Sequence, residues 1–326
     1  MLLRRLALTA LSFAPLTGTA QAEDCAPARL LATVQMQSAE PESNIRTVPV
    51  NLNGATRFMV LDTGGAITQL SRDTIEELNL PVRRSSAAAY DINGRVSHHF
   101  ATVKDFAFGD LHRADAAFLE WPDATRSFAG ELAQDMLQPY DVDVDFASGA
   151  LKMYAKGHCP GPSGWTPLFR VEMRNKGWHL HIPVTLDGHS YDAIFDTGSR
   201  HTIMRLPAAR RDFGLTTDAP GMTPYPAING DSALDGYLHR FAKLSFGGMS
   251  FAAPEVMIVP DVMNHNADTS PMALNPAYRH NADLVLPELS LGMDVLKHLH
   301  LYIAFGEQAL YVAPADAVPQ VPSAKP

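Results

Sequence analysis

Residues 48–64 read VPVNLNGATRFMVLDTG, and residues 182–198 read IPVTLDGHSYDAIFDTG. Without a gap, Pro49, Val50, Leu52, Gly54, Asp62, Thr63 and Gly64 fall on Pro183, Val184, Leu186, Gly188, Asp196, Thr197 and Gly198, a constant offset of 134 residues. Each copy reads as an alternating strand, a turn containing Gly, and a second strand that ends almost wholly apolar, Phe58 to Leu61 or Ala193 to Phe195. That second strand delivers an Asp into a Thr-Gly turn, where glycine permits close approach of another backbone.

The parallel continues outward from these segments. A further apolar stretch follows each turn, Ile67 to Leu70 or Thr202 to Met204. Short helices are expected at Asp73 to Leu78 and at Pro207 to Phe213, the latter with Pro at its first position. Hairpins are expected at Asn93-Gly94 and Asn229-Gly230, since Asn-Gly is the strongest short hairpin signal. Phe108-Gly109 corresponds to Phe246-Gly247, and Ala129 to Tyr154 parallels Ser290 to Val312, each with a helix-like piece and two closing strands. The organisation expected is an N-terminal segment at 23–43, one lobe at 44–156, a linker at 157–165, a second lobe at 166–314 and a disordered tail at 315–326. Asp261 to Pro287 is a polar surface excursion of the second lobe.

Two Asp-bearing turns at the ends of buried strands point to a carboxylate pair. A buried Asp is costly unless paired or hydrogen-bonded. If a pseudo-twofold axis relates the lobes, the turns meet on it and repulsion prevents both carboxyls from ionising. The ionised member draws a proton from a water, and the protonated member donates to the oxygen being attacked. Thr63 and Thr197 would brace the turns, and Gly64 and Gly198 would let them approach.

On these residues the chain resembles the aspartic proteases, and among them the retropepsin-like branch of exported bacterial proteins. The resemblance covers about residues 44–314, as two retropepsin-like halves in one chain. It implies a mainly β fold of two related β-barrel lobes with short helices and a cleft between them, covered by hairpin flaps. It implies Asp62 and Asp196 as the catalytic pair of an aspartic endopeptidase, with Thr63, Gly64, Thr197, Gly198 and Ser199 supporting the loops. Leu289-Ser290-Leu291-Gly292 matches the second family motif, which packs behind the catalytic loop. The flap candidates are Tyr90, Asn93 and Gly94, and Tyr225, Asn229 and Gly230. The chain departs from the family at Gly65, where Ser or Ala is usual, so a hydrogen bond to the outer oxygen of Asp62 is expected to be missing. Phe128-Ala129-Gly130 is a loose first-lobe version of the second motif, and Ala133 stands where the second copy has Gly292. The other reading is a catalytically silent module of the same fold that binds peptides or a partner protein in the periplasm.

The rest of the sequence narrows the context. Met1 to Ala22 reads as a secretory signal: Arg4 and Arg5, an apolar run, then Ala20-Gln21-Ala22. The run is too short to span a bilayer, so a soluble periplasmic or secreted protein is expected. Of 326 residues 46% are apolar and 19% charged, as in a globular chain; the 24 Pro and 22 Gly favour short strands over long helices. A net charge of -9 argues against nucleic-acid binding. Two cysteines in an exported chain leave one disulfide, Cys25 with Cys159, against the alternative of two free thiols. No metal site is expected: His179/His181 and His298/His300 alternate on strands but lack a third ligand at metal-site spacing. The acids of Tyr140 to Phe146 alternate with period two and are expected to face solvent. No cofactor is expected, and peptides or proteins are the expected partners of a monomer that is an internal pseudo-dimer.

Overall fold

A computed structural model describes residues 25–41, 43–90, 96–121, 128–176, 179–226, 235–260 and 287–315. Met1 to Ala22, expected as a signal, Asn93-Gly94, Asn229-Gly230, most of 261–287 and the residues from 316 lie outside the described residues. The described chain is mainly β, in three sheets.

The eight-stranded sheet belongs to the first repeat. Its core path runs Arg46–Leu52, Ala55–Leu61, Gly130–Leu132, Gln69–Ser71, Leu111–Trp121, Val96–Phe108, Val82–Tyr90. The ten-stranded sheet of the second repeat runs His179–Leu186, His189–Phe195, Leu289–Leu291, Thr202–Arg205, Glu255–Val259, Gly236–Arg240, Thr223–Tyr225. The two paths match strand for strand. The difference lies in the two long strands of the first lobe, each of which the second lobe breaks in two. One interruption falls at Ala253-Pro254, where Ala253 has φ +50° and Pro254 has no N–H to continue the ladder.

The third sheet joins the lobes. Its order is Leu30–Gln35, Ala150–Tyr154, Asp141–Asp145, Leu299–Ala304, Ala309–Pro314, Phe169–Glu172, all antiparallel. Three strands come from each repeat. They meet where Val142 faces Ile303 and Asp145 faces His300, as a pseudo-twofold axis requires. Val142, Val144, Leu301 and Ile303 enter the continuous apolar core that runs through both lobes.

The helices lie close to their expected places. The first is Arg72–Glu77, capped by Ser71, whose Oγ accepts from Thr74 N at 3.2 Å. The next long one is Leu206–Phe213, which begins one residue before Pro207 and closes on Gly214 at φ +66°.

Two of the three acids of the Tyr140 to Phe146 stretch do not face solvent, while Asp145 is half-buried and accepts from the Ser148 hydroxyl. Asp141 and Asp143 are each 1% exposed. Asp141 accepts from His158 Nε2 at 2.8 Å and Gly306 N at 3.0 Å; Asp143 accepts from His300 Nε2 at 2.6 Å and Trp165 Nε1 at 3.2 Å. The cause is a second, smaller core on that face of the joining sheet, formed by Tyr154, Tyr302 and Tyr311 with Trp165 packed against it. The segment after Tyr154 supplies His158 and Trp165 as covers, and a Cys25–Cys159 disulfide ties that segment to the N-terminal strand.

Candidate active site

Each strand that carries a site Asp is wedged between an antiparallel partner and a parallel one. Leu61 pairs in parallel with Leu132, and Asp62 N donates to Leu132 O at 2.9 Å. Phe195 pairs in parallel with Leu291, and Asp196 N donates to Leu291 O at 2.8 Å. Both turns thus follow directly on the buried ends of their strands, Met59 to Leu61 and Ala193 to Phe195.

The turns then lock across the axis. Thr63 Oγ1 donates to Phe195 O at 2.9 Å and accepts from Thr197 N at 3.1 Å. Reciprocally, Thr197 Oγ1 donates to Leu61 O at 2.6 Å and accepts from Thr63 N at 3.1 Å. All four bonds are buried, so each hydroxyl satisfies two backbone groups that would otherwise be orphaned.

The carboxyls face one another above this lock. Asp62 Oδ1 accepts from Gly64 N and Gly65 N at 2.9 and 2.8 Å; Asp196 Oδ1 accepts from Gly198 N and Ser199 N at 2.9 and 3.1 Å. The two carboxyls lie side by side, since a β-carbon at Gly198 would meet both Asp62 and Asp196 Oδ1. A β-carbon at Gly198 would lie 2.7 Å from the Asp62 carboxyl carbon, and one at Gly64 would collide with that of Asp196. These two positions are where the absence of a side chain is needed for the approach. Burial, then the Asp62 charge and hydrogen bond, holds Asp196 well above the ordinary carboxylate range. Burial also raises Asp62, but the Gly65 N–H, the bond to Asp196 and the Gly64 N–H oppose it. Two like acids in one site therefore resist ionising together and titrate as a pair.

A second ring of bonds holds the turns from behind. Thr68 N and Oγ1 donate to Asp135 Oδ1 at 2.9 and 2.5 Å; Thr202 N and Oγ1 donate to Asp294 Oδ2 and Oδ1, both at 2.8 Å. Thr68 Oγ1 accepts from Ala133 N, and Thr202 Oγ1 from Gly292 N, at 3.0 and 3.2 Å. These four residues and Gln134, which donates to Thr63 O at 2.6 Å, were not among the sequence-derived candidates. The repeat of Thr68 at Thr202 under the same offset was the available signal. The first-lobe counterpart of Leu289-Ser290-Leu291-Gly292 is Gly130-Glu131-Leu132-Ala133, not Phe128-Ala129-Gly130. Gly130 stands in a leucine's place because a β-carbon there would strike Gln69 O.

Of the remaining candidates, the Ser199 hydroxyl donates to His201 O at 2.8 Å rather than to Asp196. Tyr225 packs edge-on against the His201 ring at 5.2 Å, beside the second turn. Backbone pairing of Tyr90 with Val96 closes the first-lobe hairpin; its tip lies outside the described residues. The paired histidines have separate surroundings: His181 Nδ1 lies 3.6 Å from Asp192, His179 Nδ1 is buried without a hydrogen-bond partner, His300 binds Asp143 and His298 is exposed. Among the described residues no cluster of three or more His, Cys, Asp or Glu side chains is placed to hold a metal ion.

A family model described as aspartyl protease matches residues 48–137 and 182–295, one stretch in each repeat. No curated protein matches the chain in sequence.

Proposed function

Because the chain belongs to the aspartyl protease family, we propose that it is an aspartic endopeptidase whose catalytic pair is Asp62 and Asp196. The observation that carries this reading is the close approach of two carboxyls, each held by two N–H groups of its own turn. Such a pair keeps one proton between two acids, which supplies a base and an acid in the same site.

In this scheme a water lies between the carboxyls. Asp62, the ionised member, takes one water proton while the water oxygen adds to the peptide carbonyl carbon. Asp196 gives its proton to the carbonyl oxygen, leaving a neutral gem-diol. Asp62 then returns its proton to the amide nitrogen, the C–N bond breaks, and Asp196 recovers a proton from one of the diol hydroxyls. No cofactor enters. An extended peptide would pair its backbone with a strand edge beside the two carboxyls. Both acids come from one chain, so a monomer suffices. Export to the periplasm or outside the cell fits the disulfide and the signal-like Met1 to Ala22.

The test is incubation of the mature protein with a denatured protein and a peptide library across pH, with and without pepstatin. Cleavage on the acid side of neutrality, blocked by pepstatin, is expected. Asp62→Asn or Asp196→Asn each lowers kcat/KM by at least about a hundredfold with the circular dichroism retained. Near-normal turnover in either variant, or binding of peptides without cleavage by the parent protein, rules the reading out.

A further inference from the structure

The first repeat holds its Asp turn from behind with one bond that the second lacks. Gln134 N donates to Gly65 O at 3.1 Å, and Met293 N donates to Ser199 O at 2.8 Å, so the backbone bond is common to both. The Gln134 side chain adds a bond from Nε2 to Thr63 O at 2.6 Å; a methionine has no N–H to give. Gln134 Oε1 accepts in turn from Gln138 Nε2 at 3.2 Å. Gln134 is 1% exposed, and Gln138 is half-buried. Two carboxamides thus run from the Asp62 turn to the wall of a cavity. That cavity measures about 140 Å³ and is lined by Gln138, Lys156, Met173, Leu180, Phe305 and Gln308. It lies on the seam of the lobes, with its first two residues from the first repeat and the other four from the second. Met173 and Leu180 are buried and give it an apolar floor. Lys156 Nζ stands 5.6 Å from the centre of the Phe305 ring. Among the described residues no carboxylate pairs with Lys156; Glu307, in the same turn as Phe305, accepts from Gly161 N and the Tyr311 hydroxyl instead.

We propose that this cavity is a binding site for a small carboxylate with a compact apolar body, and that its occupancy is felt at the Asp62 turn through Gln138 and Gln134. The Lys156 ammonium supplies the charge for the carboxylate. Gln138 Nε2 has two N–H bonds; one goes to Gln134, and the second is left for a carboxylate oxygen. Met173, Leu180 and Phe305 take the apolar body. A dry cavity of about 150 Å³ accommodates a benzene ring, so the body is limited to about six carbon atoms. Both a free acid of that size and the C-terminal residue of a peptide carry this chemistry. A ligand that fixes Gln138 fixes Gln134 with it, and Gln134 holds the turn at both Thr63 O and Gly65 O. The second turn has only the backbone bond from Met293, so the signal reaches one member of the pair.

The test is an NMR titration of 15N-labelled protein with benzoate and with N-acetyl-leucine, each beside its uncharged amide. Saturable shifts are expected at the Gln138 side-chain amide and, with the same midpoint, at the Thr63 and Gly64 backbone amides. Tighter binding of benzoate assigns the site to a free acid, and tighter binding of N-acetyl-leucine to a peptide end. Shifts that fail to saturate with either acid, or amides that bind as well as the acids, overturn the proposal. Lys156→Gln should weaken binding at least about tenfold, the loss of one charge-assisted bond; unchanged affinity sinks the assignment. Gln134→Met, which copies the second repeat, should keep the shift at Gln138 and lose those at Thr63 and Gly64. If that variant does not fold, Gln138→Ala at saturating ligand carries the same test from the outer end of the relay. Turn shifts that persist in a folded variant refute the coupling. None of these readouts needs cleavage, so they stand even if the peptidase reading fails.

Discussion

The two lobes share the Thr lock and the turn N–H bonds that hold their Asp residues, while Gln134 to Thr63 O and Ser199 to His201 O are unmatched, and they fill the space behind the turns differently. In the first, position 65 is bare and position 133 carries a methyl; in the second, position 199 carries a hydroxymethyl and position 292 is bare. A β-carbon at Gly65 would press on Asp62 Oδ2 and lie 3.2 Å from the Ala133 β-carbon; one at Gly292 would collide with His201 O. Neither lobe has a side chain at both positions. The two departures seen in the first repeat, Gly65 and Ala133, are thus one feature: the missing side chain at 65 leaves room for the methyl at 133. The lobes share the hydrogen bonds of the lock and differ most in their packing, which is how a duplicated site stays superimposable while its halves diverge.

The largest stability effect that sharpens this comparison is at the shared bonds. Thr63→Val and Thr197→Val each strand two buried backbone groups, so each should cost about 2–4 kcal/mol in denaturant unfolding. The two losses should be alike; a large inequality would break the symmetry argued for the lock. Smaller effects are expected where the lobes differ. Gly292→Ala should cost about 1–3 kcal/mol, because its methyl meets backbone that the surrounding ladder holds in place. Ala133→Gly should cost under about 1 kcal/mol, the loss of one methyl and some chain stiffness. Equal costs for these two changes would show that the packing difference has no energetic meaning.

Much of this was legible in the chain because it is local. The strand–turn units are contiguous, their apolar ends and glycines are explicit, and the constant offset pairs them. What was not legible is what covers what. Period-two alternation at Asp141, Asp143 and Asp145 states that the acids share a face, but the cover arrives from His158, Trp165 and His300, set by the joining sheet. The N-terminal strand Leu30–Gln35 likewise has its place only because Ala150–Tyr154 presents an open edge. At the first-lobe version of the second motif the pattern was obscured by Gly130, whose identity answers to Gln69 O and not to its own strand.

The claim on which the account turns is that Asp62 and Asp196 behave as one acid–base unit. The most direct measurement follows the aspartate carboxyl 13C resonances through a pH titration of the folded protein. The account predicts that Asp196 keeps its proton above the range in which exposed aspartates ionise. It also predicts that Asp62→Asn moves the Asp196 titration to lower pH, because the neighbouring charge that opposes its ionisation is removed. Two carboxyls that titrate independently in the ordinary range, with Asp196 indifferent to the loss of Asp62, would contradict it.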